Sequence, residues 1–153
     1  MIGGQVEYAR SRASEPQLFD HLARCDGRYN PPLSQRVDLV EYARKLRTRA
    51  ETLEAWHGGD LVGVVAVYLD AASARAFVSS VSVDEAFAGR GIGSRLVGDA
   101  IALARTRGMG AISLEVSPQS RGAIQVYEKH GFRVTEASPD TLQMHLSLSE
   151  QAP

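Results

Sequence analysis

A chain of 153 residues with 44% hydrophobic side chains is long enough for one domain with a real core and too short for two. Its 17 basic and 18 acidic residues leave a net charge of −1, which gives no electrostatic reason to expect nucleic acid or a membrane surface as partner. Cys25 is the single cysteine, so no intrachain disulfide and no site built from cysteines can form. The longest apolar stretch, 61–69, is far below the roughly 20 residues that span a bilayer, and no basic segment followed by an apolar one stands at the start, so a cytoplasmic domain is predicted.

In chain order, residues 4–11 read as a first strand, and the Ser-Glu-Pro start at Ser14 followed by Leu18, Phe19 and Leu22 predicts a helix. Cys25 reads as a small buried hydrophobe. Residues 27–34 (GRYNPPLS) read as irregular, because Pro31 and Pro32 restrict their own backbone and that of Asn30. A second helix is predicted from Asp38 to about Ala50, with Leu39, Tyr42, Ala43 and Leu46 on one face and a solvated basic face of Arg44, Lys45, Arg47 and Arg49 opposite.

From residue 51 the pattern turns to β. Two strands are joined at Gly58-Gly59-Asp60, a turn expected to need positive φ, and a third runs over 74–83. A helix over about 92–107 aligns Leu96, Ala100, Leu103 and Ala104 and stops at Gly108. Residues 111–116 form a short apolar strand, 117–131 hold a helix closed by Gly131, and 141–149 alternate like an edge strand. The order predicts an α/β fold, of the α+β mixed-sheet kind, with helices on both faces.

Between the third strand and its helix stands DEAFAGRGIGSRL, residues 84–96. A strand feeding a helix through glycine offers unpaired N–H groups and a positive dipole end, and Gly89, Gly91 and Gly93 let a bulky anion approach, so a phosphate or pyrophosphate is the natural guest. The Walker pattern is absent, since no Gly-Lys pair occurs. The dinucleotide fingerprint fails narrowly at Ser94 and Leu96, although Glu115 stands about where it places its ribose-binding acid. A nicotinamide dinucleotide oxidoreductase and a plain glycine-rich connection both stay open at this point.

Two segments together narrow the choice. VSVDEAFAGRGIGSRLVGDAIALARTRG followed by LEVSPQSRGAIQVYEKHGF resembles the GNAT superfamily of acyl-CoA-dependent N-acetyltransferases, over roughly residues 61–136. The resemblance lies in the turn Ala88, Gly89, Arg90, Gly91, Ile92, Gly93 and in Ser120, Ala123, Tyr127, Gly131 and Phe132. Ala88 replaces the family's usual Arg or Gln, and Ser120 its usual Asn.

The resemblance implies a single domain with a mostly antiparallel sheet, splayed between the strand at 74–83 and the strand at 111–116. It implies acetyl-CoA as cofactor, with coenzyme A as product. Pantetheine would pair with the backbone of Val81 and Val83. The pyrophosphate would lie over Gly89, Arg90, Gly91, Ile92, Gly93 and Ser94, with Arg90 or Arg95 as a charged supplement. Ser120 and Tyr127 are further cofactor contacts. Tyr127 stands at the family's tyrosine position, a general acid for the departing thiolate or a buried spacer. Glu115 is the general base if burial pushes it toward neutral pH, or else a salt-bridged surface acid. Asp84, Glu85 and His130 are alternatives, and an N–H near Val81 would hold the oxyanion.

The acceptor would meet the connection Tyr29–Leu33, with Tyr29 and Arg36 as substrate-binding residues. A primary amine of a small molecule or an amino sugar is expected, attacking directly in a ternary complex, with no nucleic acid and no membrane as partner and a homodimer allowed for. The alternative is an acyl-CoA-binding regulator without catalysis.

Overall fold

The computed structural model describes residues 5–148. Eleven elements follow in order: β1 (Glu7–Arg10), α1 (Glu15–Arg24), α2 (Leu39–Arg49), β2 (Glu51–His57), β3 (Asp60–Asp70), β4 (Arg75–Val83), α3 (Ile92–Thr106), β5 (Ala111–Val116), α4 (Arg121–Lys129), β6 (Arg133–Ala137) and β7 (Leu142–Ser147). They build a seven-stranded sheet in the order β1-β2-β3-β4-β5-β7-β6. Every neighbouring pair is antiparallel except β4 with β5.

The sheet is covered on both faces. Leu96, Val97, Ala100 and Ala104 of α3 and Tyr127 of α4 pack on Val65, Val67, Ile112 and Leu114. Leu18 and Leu22 of α1 and Ala43 and Leu46 of α2 pack on Trp56, Val64 and Ala66. The apolar run in β3 is explained by this double burial, since residues of both parities meet a helix layer. Both N-terminal helices begin on side-chain caps. Ser14 and Gln17 form a reciprocal capping box, and Asp38 accepts from the Glu41 N–H at 3.1 Å.

A buried carboxylate fixes the corner between β1 and α1. Glu54 is fully buried in β2. It accepts from the Arg12 and Ala13 N–H groups, the Thr52 hydroxyl and the Trp56 indole N–H at 2.5–3.1 Å. A buried charge persists only when it is hydrogen-bonded in this way.

Three expectations are corrected. The strand predicted over 141–149 is not an edge: β7 lies between β5 and β6, and the fully exposed β6, unpredicted, is the edge. β6 pairs with β7 in a short antiparallel ribbon, and RVTEA carries too few apolar residues to announce itself. Residue 4 of the first predicted strand and residue 149 of the last lie outside the described residues. Positive φ is needed only at Gly58 (+62°) in the β2–β3 turn. The segment 27–34 contains structure after all: 3₁₀ turns at Asp26–Arg28 and Leu33–Gln35 flank a cis Asn30–Pro31 bond. Asp26 ties the two turns together by accepting from the Ser34 N–H at 2.6 Å and hydroxyl at 2.7 Å.

Candidate active site

The parallel pairing of β4 with β5 ends at Val78 opposite Leu114. β4 nevertheless runs on to Val83 beside β3, and β5 to Val116 beside β7. Beyond Val78, therefore, β4 has lost one hydrogen-bonding neighbour. The parting begins at a bulge, where Ser80 faces Ala66 and Val78 faces Val67, leaving Ser79 as the extra residue. Past the bulge, Val81 and Val83 pack toward the α3 core. Ser80 and Ser82 turn to the α1 side, bonding the Tyr29 hydroxyl at 2.5 Å and His21 Nε2 at 2.8 Å.

β4 delivers the chain into the glycine turn. Gly89 (φ +79°) and Gly91 (φ +80°) hold left-handed conformations that place the start of α3. Gly91 is the N-cap and offers no side-chain cap; the first bond into the helix runs from the Arg95 N–H to the Gly91 carbonyl at 3.0 Å. The amides of the opening turn are thus left for an outside acceptor. A β-carbon at Gly93 would meet only Val83 Cγ2, at 3.7 Å, so this glycine keeps the approach to those amides open rather than relieving strain.

Two cavities meet at the gap. One, of about 510 Å³, runs from Val81–Val83 past Gly89, Gly91 and Gly93 to Ile92 and Ser94. The other, of about 620 Å³, lies between the α1–α2 connection, Ser79, Ser80, Glu115, Ser120 and the β6–β7 turn. Tyr29, Val81, Ala123 and Tyr127 line both. Two residues lining the second are joined directly, Asn30 Nδ2 donating to Gln119 Oε1 at 2.9 Å.

Tyr127 is 5% exposed, and its ring packs on Phe132 at a centroid distance of 5.9 Å. Among the described residues its hydroxyl has no hydrogen-bond partner, yet it is not one of the sealed, unsatisfied groups; only the Tyr68 hydroxyl is. Burial, with Tyr29 nearby, pushes the Tyr127 phenol up to about 12, so the group keeps its proton at neutral pH. Glu115 is exposed, without an ion pair among the described residues, and lines the larger cavity. Glu115 lies beyond the last β4–β5 pair, so neither the burial nor the salt bridge considered for it is found among the described residues. Ser120 is the N-cap of α4, makes no side-chain cap and faces the same cavity.

The remaining candidates have structural partners. Arg95 stacks over Tyr8 at 4.0 Å and pairs with Asp99 at 3.1 Å, whereas Arg90, stacked on Phe87 at 5.1 Å, has no ion pair among the described residues. His130 Nε2 lies 3.0 Å from both Ser94 Oγ and the Ser94 carbonyl, clipping the end of α4 to the start of α3. Asp84 belongs to a buried cluster under the end of β4. His21 Nδ1 lies 3.0 Å from Asp84 Oδ1 and from the Leu61 carbonyl, and Arg24 reaches Asp84 at 3.2 Å. Burial works to raise the Asp84 carboxyl, but His21, Cys25 and Arg24 together hold it below the usual range. Cys25 is pushed up to about 12 by burial and by its bond to Asp84, and stays a thiol. The candidate triad of metal donors His21, Cys25 and Asp84 is thus committed to hydrogen bonds beside a guanidinium, which repels a cation. Glu85, in a 3₁₀ turn, is exposed and lines neither cavity.

Comparison with known proteins gives the family. The model of the acetyltransferase (GNAT) family matches residues 16–132. The chain belongs to the GNAT family. The uncharacterized N-acetyltransferase YvbK of Bacillus subtilis is 31% identical over 129 residues, 84% of this chain and 76% of that one. Streptothricin acetyltransferase of Streptomyces lavendulae is 38% identical over 74 residues, and the uncharacterized N-acetyltransferase MJ1207 of Methanocaldococcus jannaschii is 38% identical over 67. These two matches span 48% and 44% of this chain but only 39% and 30% of the relatives' own lengths. Among solved structures, the yncA protein of Salmonella typhimurium, solved with its cofactor acetyl-CoA, superposes with a TM-score of 0.75 at 18% identity, over 98% of both chains.

The GNAT fold accounts for the splayed sheet, and its single parallel pair is incompatible with the doubly wound parallel sheet of a dinucleotide-binding domain. No helix among the described residues is long and apolar enough to cross a membrane. Sequence reasoning missed Arg28, Ser80 and Asp140, which no motif marks and which only the packing of the α1–α2 connection and the β6–β7 turn about β4 and β5 brings together.

Proposed function

We propose that the protein transfers the acetyl group of acetyl-CoA to a primary amine of a small molecule, by direct attack in a ternary complex. The observation that carries this reading is the unpaired edge of β4, opening on one side to an uncapped helix start and on the other to a second cavity, with Tyr127 lining both.

The residues present fit the coenzyme. The first-turn amides of α3 and the space over Gly93 suit a pyrophosphate, whereas Arg90 is stacked on Phe87 and lines neither cavity. The backbone of Val81 and Val83 on the orphan edge suits an amide-bearing arm that adds as a strand. Ser120 replaces the family's Asn at the start of α4 and lines the larger cavity alone. When bound, acetyl-CoA supplies an activated acyl thioester.

This chain's residues supply the rest. Tyr127 holds a proton at its hydroxyl next to both cavities and gives it, or a hydrogen bond, to the departing thiolate. Glu115 faces the acceptor cavity and takes the proton of the incoming ammonium, directly or through water. A β4 amide near Val81 stabilises charge on the carbonyl oxygen. Tyr29 and Arg36 border the acceptor. A small-molecule acceptor is supported by the modest cavity and by the relative named for streptothricin. The test is coenzyme A thiol release in a panel of primary amines. Release that depends on both acetyl-CoA and amine supports the proposal, whereas acetyl-CoA binding without release with any amine points to a regulator instead.

A further inference from the structure

The larger cavity carries an uneven charge pattern. Arg28 and Arg36 enter its lining from the α1–α2 connection, Glu115 from β5 and Asp140 from the β6–β7 turn. All four side chains are exposed, and none has an ion pair among the described residues. Two positive and two negative groups, mounted on different elements, thus share a space of about 620 Å³ without an ion pair between them.

We infer that the acceptor is an amine that also carries an anionic group, a carboxylate or a phosphate, with the anion held by Arg28 and Arg36 and the ammonium facing Glu115 and Asp140. The inference rests on the acetyl-transfer reading for its amine and on the four charges for its anion. Guanidinium groups bind either anion through forked hydrogen bonds. A polycation would face two arginines and a polyanion two carboxylates, so the same four residues disfavour both. Arg28 also lines the cavity over the glycine turn, whereas Arg36 lines only the acceptor cavity and therefore discriminates between acceptor and coenzyme binding.

The test uses matched pairs: 4-aminobutyrate against butylamine, and O-phosphoethanolamine against ethanolamine. Values of kcat/KM are measured at saturating acetyl-CoA for the parent and for Arg36→Gln. The anionic member is expected to win at least one pair by about tenfold or more, as a charged hydrogen bond would give, and the winning pair tells carboxylate from phosphate. In Arg36→Gln that ratio falls toward one through the acceptor KM, while the KM for acetyl-CoA stays within twofold. Calorimetric binding of the same four compounds to the coenzyme A complex separates the two readings. Preference in binding without turnover keeps the charge assignment and rejects catalysis; turnover without preference rejects the charge assignment alone. An equal or better neutral twin in both pairs, or a preference untouched by Arg36→Gln, overturns the inference, as does the absence of both binding and turnover.

Discussion

The hydroxyl of Tyr29 meets Ser80 Oγ at 2.5 Å, two positions beyond the last β4–β5 pair. The α1–α2 connection is thereby fastened to the strand edge where, on our account, coenzyme and acceptor meet. Tyr29→Phe keeps the ring and removes the bond. The expected result is a stability loss of about 1 kcal/mol and a rise of about fivefold in the acceptor KM, the effect of one hydrogen bond, with a smaller change for acetyl-CoA. Steady-state kinetics with both substrates varied checks this; equal rises in the two KM values would contradict it.

Tyr127→Phe isolates the hydroxyl from the ring. The ring packs on Phe132, and among the described residues the hydroxyl bonds nothing, so the melting temperature is expected to stay close to the parent's. Turnover is expected to fall by a factor on the order of 10², the lower part of the range for one acid–base group, because a thiolate leaves easily. Acetyl-CoA affinity should hold within twofold. A stable variant that turns over within twofold of the parent would remove Tyr127 from catalysis.

Alkaline pH tests the buried titratable groups together. Burial pushes Tyr42, Tyr127 and Cys25 up to about 12, from 10.0 for the phenols and 9.0 for the thiol, and raises Tyr29 in the same direction. A folded pKa above the unfolded one means that the stabilisation is complete below the unfolded value and is lost as pH rises toward the folded one. The melting temperature should therefore begin to fall above pH 9 and fall faster from 10 to 12. Phenolate absorbance of the folded protein should lag behind that of the unfolded chain over the same interval. A melting temperature flat to pH 11 would contradict the burial assigned to these groups.

Glu54 tests the fold away from the site. Glu54→Ala strands the Arg12 and Ala13 amides, the Thr52 hydroxyl and the Trp56 indole in the interior. A loss of about 3 kcal/mol or more is expected, since each buried donor left unpaired costs about 1–3 kcal/mol, measured by urea unfolding. A loss below about 1 kcal/mol would mean that water replaces the carboxylate.

How much of this was legible in the chain depends on whether the signal was local. α3 and β3 announce themselves because their period and their run of valines face packed layers. The glycine turn and Tyr127 are legible because backbone chemistry and a fixed spacing carry them. β6 was missed and β7 placed at the edge because strand order depends on where α4 returns the chain, which no alternation encodes. The chain left Glu115 open between a buried base and a salt-bridged surface acid; the parting of β4, a tertiary event, leaves it exposed, with no ion pair among the described residues. His21 looks like any polar residue on an amphipathic helix, and only the fold shows it fully buried between Leu61 and Ser82.

The central claim is that acetyl-CoA lies along the free edge of β4 and over the start of α3. Gly93→Val tests it most directly, because Gly93 has ordinary backbone geometry and its β-carbon would touch only Val83, so the fold should survive while the space over the first-turn amides is filled. The measurement is the shift in melting temperature with acetyl-CoA, with NAD and NADP as controls, on parent and variant. At a hundred times its dissociation constant the ligand adds about 2.7 kcal/mol, roughly 5–10 °C for a domain of this size. The account predicts that shift for the parent with acetyl-CoA alone and none for the variant. A folded Gly93→Val protein stabilised as much as the parent, or a parent that ignores acetyl-CoA, would contradict it.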